Sequence, residues 1–139
     1  MSKAALEKYG FTPLGNVRIA CNHFNIEITD AELARLPMCI YAFVVADEIV
    51  RIGSSKAPLK SRMGSWRRDV SGALASRRTS TPASEAAVWR SLLANAEGTI
   101  YARQGTVVTT QVGTFNAYMA EESYLIGVYR PKQNRSMHR

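Results

Sequence analysis

The chain has 139 residues, 46% hydrophobic and 21% charged, with 9 Gly and 5 Pro; that is the size of one domain, and it excludes a disordered, collagen-like or low-complexity chain. The longest uncharged apolar run, Met38–Ala46, has nine residues, far short of the roughly 20 that span a bilayer. Cys21 and Cys39 are too few for a disulfide scaffold, so the expectation is a cytoplasmic protein with free thiols and no membrane attachment. The net charge is +7, and residues 51–78 hold all of it: eight basic residues there are opposed only by Asp69, while the remainder balances ten against ten. Such a field attracts phosphates, although charge alone leaves a solvated basic helix equally open.

Residues 3–9 are read as a short helix stopped by Gly10, and Phe11–Phe24 as loop and short extended structure. Thr29-Asp30-Ala31-Glu32 has the capping-box pattern and opens a short helix that Pro37 closes. Met38–Ala46 is rich in β-formers, Asp47-Glu48 breaks it, and Ile49–Gly53 resumes it, which predicts a hairpin. A helix is expected from Ser54-Ser55 and Lys56-Ala57-Pro58 to about Arg68, then a loop or frayed helix over 71–80. Thr81-Pro82 opens a helix over Ala83–Ala96, ended by Gly98. Thr99–Val112 is β-rich with a turn at Gln104-Gly105, and Phe115–Tyr129 is helical up to Pro131. The expected fold is α+β, a small, mostly antiparallel sheet made of the β-hairpin plus one or two further strands, flanked by helices. One domain spans 1–139, with 1–37 as an N-terminal extension.

Two charges stand in the wrong place. On a helical wheel with Phe115 at 0°, Phe115, Tyr118, Met119, Leu125, Ile126 and Tyr129 share a face, and Glu122 falls near 340°, at its centre, with Glu121 at about 240° on the solvated edge. A lone carboxylate among apolar side chains is costly to bury. In the helix after the hairpin, Arg62 sits among Leu59, Met63 and Trp66. A structural Glu122–Arg62 salt bridge explains both; a metal ligand and a phosphate clamp explain them equally.

Cys39-Ile40-Tyr41, then Arg51-Ile52-Gly53 one strand later, then Arg62 nine residues past the Gly, together resemble the signature of the GIY-YIG nuclease superfamily. Glu122-x-x-Leu125-Ile126, Arg130-Pro131 and Asn134 are similar to that family's E-x-x-L-I and R-P-x-x-N ending. The resemblance covers roughly 38–66 and 115–134; Cys39 replaces a Gly, Arg51 a Tyr, and Trp66 stands where many members have a His. It implies a GIY-YIG-like fold and metal-dependent hydrolysis of phosphodiester bonds. Glu122 would hold one Mg²⁺ (or Mn²⁺) ion per active site and Arg62 would clamp the scissile phosphate. Tyr41 would be general base or base relay, with Arg51 and Arg62 favouring its phenolate, and Asn134 would orient the site. By residue type alone, Tyr41 is a half-buried strand tyrosine.

Hairpin register decides whether Arg51 belongs to this set. With a two-residue turn at Asp47-Glu48, Arg51 points away from the Tyr41 face; with a three-residue loop or a bulge, the two share it. Lys56, Lys60, Trp66, Arg67, Arg68, Arg77 and Arg78 are candidate contacts to DNA, or else a solvated charge run. Cys21-x-His23 with Cys39 lacks a fourth zinc ligand, and Trp89 with Leu92 and Leu93 reads as core. The function expected is a restriction-like, sequence-selective endonuclease on double-stranded DNA, acting as a homodimer or by successive nicks. A catalytically inactive nucleic-acid-binding domain of the same fold, a homing or repair-type nuclease, and an RNA-directed nuclease are the rival readings.

Overall fold

A computed structural model describes residues 3–137. Helix α1 (Lys3–Lys8) leads into strands β1 (Thr12–Ala20) and β2 (His23–Ile28), then α2 (Ala31–Ala34). The hairpin β3 (Cys39–Val45) and β4 (Glu48–Ser55) follows, then α3 (Leu59–Leu74), α4 (Ala83–Leu92) and β5 (Gly98–Gln104). A ribbon of β6 (Val107–Thr110) and β7 (Gly113–Asn116) precedes α5 (Tyr118–Tyr129) and α6 (Lys132–Met137). Five strands form one sheet in the order β2-β1-β5-β3-β4, antiparallel at every pairing; β6 and β7 pair only with each other. The fold is thus α+β, with a larger sheet than the sequence predicts. Among the described residues no helix is long and apolar enough to cross a membrane.

Strand β3 is buried along its whole length because the sheet is covered on both faces, and its near-continuous apolar run reflects that. Tyr41 and Phe43 point to the face covered by α3 and α4, where Leu59, Met63, Trp66, Val70 and Trp89 pack. Ile40, Ala42 and Val44 point the other way, with Ile52, toward Leu6 of α1 and Leu125 of α5.

The hairpin turn is Ala46-Asp47, both at positive φ (50° and 61°), rather than Asp47-Glu48. Val44 pairs with Ile49 and Phe43 with Arg51, leaving Val50 as the extra residue of a bulge. The bulge restores the register that an even turn would have lost, and Arg51 comes to the same face as Tyr41.

Several boundaries differ from the sequence reading. Phe11–Phe24, read as loop and short extended structure, is extended over most of its length: it holds β1 and the start of β2, so residues 1–37 supply two of the five strands. The N-cap of α2 is Asp30, whose carboxylate accepts from the Leu33 N–H, rather than Thr29. β4 runs on through Ser55, so α3 starts only at Leu59 and continues to Leu74. α4 stops at Leu92. β5 and β6 are not a hairpin, and Phe115 belongs to β7, which shortens the helix placed on the wheel. Met119 is accordingly exposed, and Leu125 carries the burial of α5.

Candidate active site

A cleft of about 180 Å³ opens between the β3–β4 face and α3 and α4, lined by Tyr41, Arg51, Arg62, Trp66 and Glu85, with Ser65, Asp69, Ser80 and Thr81 completing its wall. Tyr41 sits opposite Gly53 in the ladder, and its ring lies across that residue: a Cβ on Gly53 would stand 2.5 Å from the phenol oxygen. The missing side chain is what lets the phenol reach the strand edge. Trp66 Nε1–H donates to the Tyr41 oxygen at 2.8 Å, and the Arg51 guanidinium stacks on the Trp66 ring, 5.0 Å from its centroid. Such a cation–π contact holds a guanidinium without neutralising it.

Burial, before anything else, pushes the Tyr41 phenol above its ordinary pKa. The Trp66 hydrogen bond and the Arg51 and Arg62 charges act downward and do not overcome it, while Glu122 adds to the rise. The two arginines do favour the phenolate, but burial outweighs them: at neutral pH Tyr41 is a phenol that can donate. Burial also lowers the Arg51 pKa, and Tyr41, Glu85 and Glu122 oppose that shift. Glu85 is 3% exposed. The sequence reading missed it, although it lies one helical turn before the buried Trp89, a spacing that marks it as inward-facing.

Glu122 comes from α5 on the other side of the edge strand, half-buried, with Oε1 accepting a hydrogen bond from the Ser54 hydroxyl at 2.8 Å. It does not line the cleft, but its charge acts on both Tyr41 and Arg51. No residue spacing singles out Ser54 as that partner. The expected structural alternative, a Glu122–Arg62 salt bridge, is not among the ion pairs of the described residues. Arg62 is instead exposed at the cleft rim rather than held inside the apolar stripe of α3. Glu121, read as a solvated carboxylate, is paired: it takes hydrogen bonds from Arg103 and from the backbone and hydroxyl of Thr106. Asn134 is buried and grips the backbone of Ile52, accepting from its N–H at 2.7 Å and donating to its C=O at 2.8 Å. It does not face the cleft; it fixes the strand on which Arg51 and Gly53 stand.

Of the candidate DNA contacts, Lys56, Lys60, Arg67, Arg68, Arg77 and Arg78 are exposed. Trp66 is not with them: it is 9% exposed and packs among Tyr41, Phe43 and Trp89. Cys21 is exposed in the β1–β2 turn, whereas Cys39 is buried in β3, where burial pushes its thiol up to about 11.

No family model matches the chain, and no curated relative does. Solved structures share its fold, two of them nucleases by name. A glutamate-to-alanine mutant of bacteriophage T4 EndoII is similar with a TM-score of 0.64 at 22% identity, over 94% of this chain and 96% of that one. The restriction endonuclease HPY188I, in complex with product DNA, is similar with a TM-score of 0.58 at 16% identity, over 94% and 82%.

Proposed function

We propose that this chain is a divalent-metal-dependent endonuclease of the GIY-YIG type that hydrolyses phosphodiester bonds in double-stranded DNA. The observation that carries the reading is the convergence of Tyr41, Arg51 and Arg62 on one cleft, with the Glu122 carboxylate acting on Tyr41 and Arg51 from across the edge strand. The nuclease fold of the two similar structures supports it.

Glu122 fits a hydrated hard cation. The Ser54 hydroxyl fixes one carboxylate oxygen and leaves the other, and Mg²⁺ accepts a single carboxylate with waters and phosphate oxygens as its remaining ligands. Mg²⁺ (or Mn²⁺), one ion per site, would supply charge stabilisation to the departing 3′-oxygen. Arg51 and Arg62 neutralise the scissile phosphate with planar forks of donors. Tyr41, a neutral phenol, serves as relay rather than resting base. Its oxygen takes a proton from the attacking water while its own proton passes to a non-bridging phosphate oxygen. The water oxygen bonds to phosphorus, the P–O3′ bond breaks, and solvent protonates the 3′-oxygen. Asn134 contributes by position only. Lys56, Lys60, Arg67, Arg68, Arg77 and Arg78 would hold the flanking backbone.

Supercoiled plasmid and mixed DNA incubated with Mg²⁺ or EDTA test the reading. The native protein cuts with Mg²⁺ only, and Glu122→Gln and Tyr41→Phe each lose roughly 10²-fold or more. Discrete fragments indicate a sequence-selective, restriction-like enzyme. Salt-sensitive binding with no cutting of any DNA or RNA identifies the inactive binding domain instead. Sedimentation with and without DNA separates a homodimer from successive nicking by single chains.

A further inference from the structure

We propose that Trp66 is a positioning residue for this site: its indole N–H makes the Tyr41 oxygen an acceptor, and its ring face seats the Arg51 guanidinium, so one side chain sets the direction of the phenol proton and the place of a phosphate-binding cation together. The proposal deepens the nuclease reading and rests on it.

An indole N–H can only donate, and a tyrosine hydroxyl has one proton and two lone pairs. The 2.8 Å contact from Trp66 Nε1 therefore occupies a lone pair of Tyr41 and turns the phenol proton away from Trp66. Tyr41 is 2% exposed, and its way out is the cleft it lines with Arg51 and Arg62. Both guanidiniums are donors only, so an anionic oxygen brought in between them is a natural acceptor for the phenol proton. Trp66 itself cannot swing. Its ring packs edge-on to Tyr41 (86°), tilted against Phe43 at 5.1 Å, and edge-on to Trp89 at 5.9 Å. The remaining wall of the cleft holds Asp69 on the same helix and Glu85 from α4. Asp69 already accepts from the Ser80 hydroxyl, and Glu85 acts on Arg51. A tryptophan filling core space needs neither contact; here one ring makes both.

Trp66→Phe keeps an aromatic face for Arg51 and removes the N–H. The expected result is a kcat lower by about 10- to 100-fold with KM for DNA little changed. The Tyr41 ¹³Cζ resonance, assigned by its loss in Tyr41→Phe, titrates at higher pH in Trp66→Phe than in the native protein. Trp89→Phe, an equal loss of core volume, lowers the melting temperature and leaves that titration in place. A folded Trp66→Phe whose Tyr41 titration and kcat match the native protein overturns the proposal. If Trp66→Phe does not fold, Tyr41→Phe gives the reciprocal reading: it must shift the Trp66 indole N–H resonance, and an unmoved resonance also overturns the proposal. Because the titration needs no substrate, a native protein that cuts nothing removes the nuclease reading and leaves the Tyr41–Trp66–Arg51 arrangement standing.

Discussion

Gly53 and Asn134 do the quiet work around the cleft, and both roles are measurable. An alanine at 53 would place its Cβ 2.5 Å from the Tyr41 phenol, so Gly53→Ala must displace the ring or the strand. The expected cost is about 1–3 kcal/mol, read as a lower melting temperature. Asn134 satisfies the N–H and C=O of Ile52 on the free side of an edge strand, taking the place of a sixth strand. Asn134→Ala leaves both groups unpaired, and a loss of about 2–3 kcal/mol in denaturant unfolding is expected. At this scale residue type and spacing single out Tyr41, Arg62, Glu122 and Asn134, of which the structure puts Tyr41 and Arg62 in the cleft wall and Glu122 and Asn134 outside it. The sequence is silent where meaning lies in a partner: nothing in the order of residues says that the Trp66 N–H faces a phenol, or that Ser54 holds Glu122. Arg62 also misled, because three- and four-residue spacing to Leu59 and Trp66 does not separate a stripe from its exposed edge.

Among the elements, the β3–β4 hairpin was the most legible and β1 the least. β1 contains Pro13 and Gly15, residue types that strand interiors disfavour. The structure places them at a register shift, where Glu27 O comes within 2.2 Å of where a Cβ on Gly15 would stand. Its turn to β2 uses Cys21 and Asn22 at φ 50° and 64°, without the Gly that usually marks such a turn. Ala46 in the β3–β4 turn has the same unfavourable left-handed conformation, so Ala46→Asn should raise stability by about 0.5–1 kcal/mol while keeping the bulge and the site. The α5 wheel failed at its first residue, since Phe115 is in β7, and failed again at Glu121. Burial pushes the Glu121 carboxyl up, but the Thr106 N–H, Arg103 and the Thr106 hydroxyl together hold it below its ordinary value of 4.5. Its stabilising contribution is therefore complete above about pH 4.5 and lost as pH falls through the depressed value. Acid unfolding followed by circular dichroism should show Arg103→Leu with less of its stability lost over that window than the native chain.

Over the whole molecule, the basic surplus of residues 51–78 runs from Arg51 on β4 through α3 and its approach to the following loop, and six of its exposed cations, Lys56, Lys60, Arg67, Arg68, Arg77 and Arg78, lie outside the cleft lining. If all six meet phosphates, the logarithm of the DNA association constant falls against the logarithm of salt with a slope of about −5. Arg77→Ala and Arg78→Ala each reduce that slope by about one, equally for all sequences. The charge asymmetry was fully legible; its relation to the cleft was not, because it depends on α3 packing against β3 and β4. The account stands on one arrangement, a phosphate between Tyr41, Arg51 and Arg62 with a cation at Glu122. Crystals soaked with Mn²⁺ and thymidine 3′,5′-bisphosphate test it without knowledge of any recognition sequence. The account predicts one anomalous peak at the free Glu122 oxygen and a phosphate within hydrogen-bonding reach of both guanidiniums and the phenol. A phosphate bound elsewhere, or a Glu122 carboxylate that takes no metal, would contradict it.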